Sequence, residues 1–479
     1  MTTQLNRRQF LQVATTGSAL LLSGLSIAVT GEETGGSQLI SPGCRTSRVK
    51  VARLYMGTSH GLWPKPDLDF QKEMRFYETQ FARYADQLSD VDFVVDQLVT
   101  SPEDILQLQD RLNSVDGILA VHFNIGIQPI LEEILRLQKP TVVFADPYSG
   151  HEWVNFGTIQ KQPSGAKLGC MLTSDYSKLV TAIRPMRAVH HLREAKILNV
   201  TTRSFDDYAS AAQDKFGTEI VPVSLDRIVT LYHSIDDRRV REEAARWTNQ
   251  AVRVIEPSPE VIRKSCRMAL AFEQLLHEEQ ATVVTVDCYG TMYEPLCRKY
   301  AYPCIGFTRL NNMGFGGICE SDLRSAMIHI LFQGLSGKPG FINDPTVDES
   351  IDSIILAHCL GTTKMDGPDG PAAPYQLRTI MERREGAVPQ VKMQLEQQVT
   401  TAIIEGMDTL RYFTGTITAV PETERGCRTK ITVRVDGDIT RLWKNWASGL
   451  HRVTCYGNLT EELELFAGFT DMQLINEAA

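Results

Sequence analysis

Two carboxylates and one histidine carry the most chemistry in this sequence. Glu320 follows a glycine-rich approach, Gly314-Phe315-Gly316-Gly317-Ile318-Cys319, and precedes Ser321, Asp322 and an apolar stretch over 323–335. Glycines let a backbone come close to a ligand, and amide groups at a helix start stabilise a carboxylate. Asp344 stands 24 positions further on and closes Gly340-Phe341-Ile342-Asn343-Asp344, which reads as a strand. One helix and one strand fit between the two acids, a spacing that predicts both at the same edge of a sheet. His451 stands in Leu450-His451-Arg452-Val453-Thr454-Cys455-Tyr456-Gly457, at the start of a further apolar strand. A single carboxylate in a loop is ordinarily a cap or a surface acid, and a lone histidine beside apolar residues is ordinarily structural. Taken together they are a hard, mostly oxygen ligand set. It suits one divalent cation, Mn2+ first and Mg2+ or Co2+ after it, with positions left for the oxygens of a substrate. Glu320 and Asp344 are also placed as acid and base for moving a proton beside a polarised carbonyl.

Other residues offer less. Asp287 ends the run Ala281-Thr282-Val283-Val284-Thr285-Val286-Asp287, and ligands of open α/β sheets gather at the carboxyl ends of strands. His358 ends Ile354-Ile355-Leu356-Ala357-His358 and reads equally as a pocket wall or as core. Trp63 sits in the loop Gly57-Thr58-Ser59-His60-Gly61-Leu62-Trp63-Pro64, either as a buried anchor or as an aromatic face for a ligand. His190 and His191 are adjacent in a helical context, point to different faces and make a poor metal pair. Ten cysteines form no Cys-x-x-Cys pair, and most lie in apolar segments, as small buried hydrophobes do. Cys288, Cys297 and Cys304 are the candidates for a disulfide if the compartment is oxidising. With no Gly-x-Gly-x-x-Gly and no Walker sequence, no nucleotide or flavin cofactor is expected.

The elements that must position these residues follow a strand–helix rhythm. It runs from Val49 to about residue 190, restarts at Lys196 and continues to about residue 350. Strands alternating with helices imply parallel sheets covered on both faces. After the breaker run Asp366-Gly367-Pro368-Asp369-Gly370-Pro371, β-branched segments over 399–420 and 429–435 imply a small antiparallel β region closed by a helix near 460–468. The expected fold class is α/β: two Rossmann-like parallel-sheet domains (49–190 and 191–350) and a smaller β-rich C-terminal domain (351–479) carrying His451. A chain of 479 residues is too long for one core, which agrees with such a division.

Ahead of these lies Asn6-Arg7-Arg8-Gln9-Phe10-Leu11, followed by a weakly apolar, uncharged stretch ending near Ser26-Ile27-Ala28. Paired arginines, a modest apolar region and small residues make residues 1–30 a twin-arginine export signal, and residues 31–48 a linker. The stretch is short and poorly apolar for a stable span, so a periplasmic or extracytoplasmic location without a membrane anchor is expected. A net charge of -9 argues against a nucleic-acid surface.

The segment Glu-Ser-Asp, its apolar helix, Leu-Ser-Gly-Lys-Pro and Phe-Ile-Asn-Asp resembles the central metal-site region of the L-fucose/L-arabinose isomerase family. His451-Arg452-Val453 with Tyr456-Gly457 is similar to that family's C-terminal histidine segment. The resemblance is close over roughly 314–360 and 443–457, and architectural elsewhere. It implies that Glu320, Asp344 and His451 hold one divalent metal. It implies that the two carboxylates act as acid and base in aldose–ketose isomerisation of a deoxyhexose or pentose through an enediolate. It also implies a homo-oligomer, trimeric or hexameric, in which Trp63 closes a neighbouring pocket. An aspartate at 344, rather than a second glutamate, tilts the set towards the fucose type. The short C-terminal domain and the export signal depart from that family's pattern. Two other readings share the features: a periplasmic sugar-binding protein, which would need no convergent Glu-Asp-His set, and a metal-assisted carbohydrate lyase or hydrolase.

Overall fold

Short runs of Val, Ile, Leu and Ala, buried on both faces, recur between amphipathic helices through the first two thirds of the chain. In the computed structural model residues 39–479 are described; the twin-arginine segment and its apolar stretch lie outside them. A first sheet holds five parallel strands in the order Val91–Val99, Val49–Met56, Gly117–His122, Thr141–Ala145 and Leu168–Leu172. Separate apolar clusters cover its two faces. Local signals start its helices: Asp69 accepts from the Lys72 amide, and Asp104 accepts from the Ser101 amide at the head of Pro102–Asn113.

A second, four-stranded parallel sheet runs Gly316–Cys319, Val283–Val286, Lys196–Val200, Glu219–Pro222. The helix Lys178–Glu194 leads into it and packs on Leu323–Ser336, where Gly334 lets the backbones close: a Cβ there would meet Ala188 Cα at 2.5 Å. The third unit is an antiparallel barrel. Strands Gln398–Glu405, Arg452–Tyr456, Phe341–Asp348, Ser353–His358, Thr429–Val435 and Thr409–Ala419 pair in turn, and the last pairs back with the first. Gln473–Asn476 adds to Thr409–Ala419 in parallel. The α/β class with a β-rich C-terminal part is therefore observed. The core beneath the second sheet continues into the barrel through Ile342, Ala402 and Val453.

Two features differ from the sequence reading. Asp344 does not end a strand of the second parallel sheet. It lies inside Phe341–Asp348, pairs with Ala357 and belongs to the barrel. Residues 39–48, linker by composition, pack on the protein instead, with Cys44 and Arg45 buried. Among the described residues no helix is long and apolar enough to cross a membrane.

Candidate metal centre

Where the second sheet meets the barrel, strand Gly316–Cys319 ends and helix Leu323–Ser336 begins after only three residues. Asp322 caps the helix, accepting from the amides of Arg324 and Ser325 at 3.1 and 3.2 Å. Glu320 and Ser321 both adopt left-handed backbone, with φ of 63° and 53°. Two consecutive non-glycine residues in that region cost on the order of 1–3 kcal/mol each and persist only where the surroundings over-determine them. The surroundings do so here: the Ser321 amide donates to Val286 O (3.1 Å) and its hydroxyl to Asn199 Oδ1 (2.8 Å). The turn delivers Glu320 to the rim of a cleft, half-buried, and keeps the Asp322 side chain, 9% exposed, beneath it.

His451 immediately precedes strand Arg452–Tyr456 and is buried. Its Nδ1 lies 2.9 Å from Asp322 Oδ2, a contact that fixes the imidazole and leaves Nε2 facing the other acids. Nε2 is 3.2 Å from Asp344 Oδ1 and 3.7 Å from Glu320 Oε2. Glu320 and Asp344 thus each approach His451 Nε2, with Asp344 arriving from a different sheet. His358, at the end of Ser353–His358, joins them: its Nε2 is 3.9 Å from Glu320 Oε1 and its ring centroid 5.7 Å from that of His451. Ligand atoms of Glu320, His358 and His451 all lie within 4.8 Å of one another.

The donor atoms fit a cation. Asp344 Oδ1, His451 Nε2 and His358 Nδ1 are buried and make no hydrogen bond; the 3.2 Å approach of the first two is not aligned as one. Buried polar atoms are almost always partnered, so the orphaned Asp344 Oδ1 and His451 Nε2, 3.2 Å apart, mark a place where an ion would complete them, with His358 turning Nε2 towards Glu320. Two carboxylates and two imidazoles form a mixed oxygen–nitrogen set suited to divalent first-row metals. Titration properties agree with a tightly coupled cluster. Burial pushes the Glu320 carboxyl up against the pull of His451, with the Asp344 and Asp322 charges adding to the rise. Burial also opposes ionisation of Asp344, but the close approach of His451 and the two imidazole charges carry it below its ordinary value. For His451 burial favours the neutral ring, yet Asp322, Asp344 and Glu320 together raise it to about 10. Burial takes His358 down to about 4, leaving a neutral imidazole ready to ligate.

Glu320 and His451 border a cleft of about 510 Å³ whose other walls include Arg203, Phe205, Tyr208, Arg324 and Leu450. Arg203 donates to Asp287 Oδ1 (2.7 Å) and to the Glu320 carbonyl (3.3 Å). Asp287, expected to line the cleft, is instead 2% exposed and is held by Thr201 and by the Thr291 hydroxyl and amide. It anchors Arg203. The Tyr208 hydroxyl is buried without a partner. Cys427 donates to Asp344 Oδ2 across 3.7 Å. Trp63 is not part of this cleft; it lies half-exposed past the carboxyl end of the first sheet, edge-on to His151. All ten cysteines are free, and Cys288 lies nearest Cys319, with their Sγ atoms 3.6 Å apart.

Asp322, Arg203, Tyr208 and Cys427 were not legible as site residues. Asp322 reads locally as an N-cap, and its contact with His451 spans 129 positions. Compared with known protein families and with curated protein sequences, the chain matches none.

Proposed function

We propose that the chain is a metal-dependent carbohydrate enzyme of the L-fucose/L-arabinose isomerase type, interconverting the aldose and ketose forms of a deoxyhexose or pentose. The observation that carries this reading is the pair of orphaned, buried ligand atoms on Asp344 and His451, gathered with Glu320 and His358 beside an open cleft. Glu320, Asp344 and His451 would hold the ion, Mn2+ first among candidates, and the neutral His358 supplies a further donor. When bound, a divalent cation stabilises the negative charge that develops on sugar oxygens as the C2 proton leaves.

The remaining work falls to side chains. Glu320, whose proton affinity burial has raised, is matched to taking and returning a proton between C2 and C1. Asp344 flanks the same space from the barrel side. Asp322 holds the His451 ring so that Nε2 faces the site. Arg203 and Arg324 present guanidinium donors along the cleft for sugar hydroxyls, and Phe205 and Leu450 give its wall an apolar stretch.

The proposed setting is extracytoplasmic, reached folded and metal-loaded through the twin-arginine route. The proposed assembly is a homo-oligomer. Leu62, Trp63, Tyr148 and Trp153 are exposed at 72, 46, 79 and 54%, an apolar patch of the kind that marks an interface, and Trp63 would close a neighbour's cleft. The test is to load the full chain with Mn2+ and screen free aldoses and glycosides in D2O. Ketose formation with deuterium at the exchanged carbon is expected. A loaded chain that leaves every free sugar unchanged, or that cleaves glycosides instead, overturns the isomerase reading.

A further inference from the structure

A second cluster of ligand-type side chains shares no residue with the Glu320 centre. Residues 39–48 lie along the helix Lys178–Glu194, and a short turn delivers Cys44: its amide donates to Ser41 O (2.9 Å), and Gly43 takes the left-handed conformation (φ 81°) that the turn needs. His190 and Glu194, four residues apart, share one helix face beneath it. We infer that Cys44, His190 and Glu194, with the backbone carbonyl of Ser47, form a closed tetrahedral site for a thiophilic divalent cation of the zinc class.

The distances carry the argument. Metal–sulfur bonds of about 2.3 Å and metal–nitrogen or metal–oxygen bonds of about 2.0–2.2 Å, set at tetrahedral angles, give edges of roughly 3.5–3.7 Å from sulfur and roughly 3.3–3.6 Å between nitrogen and oxygen. Cys44 Sγ is 3.4 Å from Glu194 Oε2 and 3.3 Å from Ser47 O. His190 Nε2 is 3.6 Å from Glu194 Oε2 and 3.0 Å from Ser47 O, the shortest of these edges, so the loop would open by a few tenths of an ångström around an ion. The donor atoms of Cys44, His190 and Glu194 all fall within 4.8 Å of one another.

Independent support comes from the far side of the imidazole. His190 Nδ1 is 2.9 Å from Asp116 Oδ2, and Asp116 is itself held by the Lys50 amide (2.8 Å) and Arg193 (2.7 Å). A carboxylate that fixes the other nitrogen is the usual companion of a metal-bound histidine. Cys44 and His190 are each 1% exposed and the Glu194 side chain 18%, so most of the ligand set is withdrawn from water. A thiolate and a carboxylate offset the two positive charges of the cation. Binding releases the Cys44 thiol proton and the proton that Nε2 otherwise shares with Ser47 O. The ion would pin residues 39–48, which join the export segment to the enzyme, onto the helix that links the two parallel sheets.

The alternative is a clamp held by the same atoms through hydrogen bonds alone, and cobalt distinguishes the two. The full chain is stripped with a chelator, titrated with Co2+ and read by absorption and by elemental analysis. Two ions per chain are expected, with a thiolate-to-cobalt charge-transfer band. Cys44→Ser should lose the band and one ion, whereas Glu320→Gln should keep the band. Glu194→Gln, which preserves the size of the clamp, should weaken cobalt binding at this site by tenfold or more. A wild-type chain with no such band overturns the proposal whatever the variants do. A band that persists in Cys44→Ser also overturns it, by placing the thiolate elsewhere, with Cys427 beside Asp344 the first suspect.

Discussion

The two histidine–carboxylate clusters differ in what they leave over. Around Glu320 three buried atoms have no hydrogen-bond partner, and a cleft reaches two of the four residues. Around His190 both ring nitrogens, both Glu194 oxygens and the Cys44 thiol are engaged within the chain. Backbone strain divides the same way. Glu320 and Ser321 sit in the left-handed region although neither is glycine, whereas the turn that carries Cys44 puts Gly43 where that conformation costs little. Catalytic metal sites keep a position open for substrate, and structural ones are closed. By that measure the first cluster has the layout of the proposed reactive centre and the second that of the proposed fastening.

The largest effect should come from removing the charge on which the proposed reactivity of the first cluster depends. Glu320→Gln and Asp344→Asn keep size and lose both cation attraction and proton transfer. Each should cut turnover about a hundredfold or more, which corresponds to at least ~2.7 kcal/mol of barrier. Turnover and bound metal need to be measured on the same sample. Activity close to wild type with metal in place would erase the contrast between the clusters and move catalysis elsewhere.

His329 supplies a control that belongs to neither cluster. It is fully buried, its Nε2 meets Phe315 O at 3.2 Å, and its Nδ1 accepts from the Gly340 amide at 3.1 Å, so the neutral ring is satisfied at both ends. Burial pulls its pKa down from 6.5 to about 4. Between those values the unfolded chain binds a proton that the native chain does not. The stability contribution is therefore complete above about pH 6.5 and is lost as the pH falls towards 4, by on the order of 3 kcal/mol. His329→Gln can reproduce both hydrogen bonds without titrating. It should flatten the dependence of the urea midpoint on pH between 7.5 and 4.5; an unchanged slope would show that the acid sensitivity arises at other groups.

Asp322 separates positioning from chemistry. Asp322→Asn keeps a good helix cap but weakens the hold on His451 Nδ1. Mn2+ affinity should fall by about 10–100-fold with little change in Tm. Calorimetric titration and thermal unfolding of the same variant check the two halves. A drop in Tm without a change in affinity would reduce Asp322 to a cap.

How much of this could be read from the chain depends on how local each signal is. Helix Pro102–Asn113 was legible because Ser101 and Asp104 sit within one turn, and Asp206–Phe216 because Gly217 closes it in the left-handed conformation. Asp344 was legible as a strand residue, but nothing in Phe-Ile-Asn-Asp says which sheet the strand joins; that is decided by pairing with Arg452–Tyr456, more than a hundred positions away. The strand-end rule put Asp287 at the right edge, yet it carries no information on side-chain direction, and Thr201 and Thr291 turn the carboxylate inward. His358 was open between core and pocket; it is buried like a core residue, 1% exposed, with Nε2 3.9 Å from Glu320. The Cys44–His190–Glu194 cluster escaped altogether because composition marked residues 31–48 as linker, and only tertiary packing brings Cys44 to the helix.

The smallest expected effect lies farthest from either cluster. Trp63 is 46% exposed, its ring contact within the chain is an edge-on approach to His151 at 5.7 Å, and its neighbours Leu62 and Tyr148 are more exposed still. If the apolar patch meets a second copy and sets Trp63 against that copy's open cleft, Trp63→Ala removes a stacking face worth about 0.5–1.5 kcal/mol. Sugar affinity should then fall by roughly 2–10-fold, with metal content unchanged, because stacking contributes affinity and no coordination. Sedimentation in solution tests the contact and substrate titration tests the stacking. A strictly monomeric chain with full activity would show that the cleft needs no neighbour, while leaving the difference between an open and a closed cluster within one chain intact.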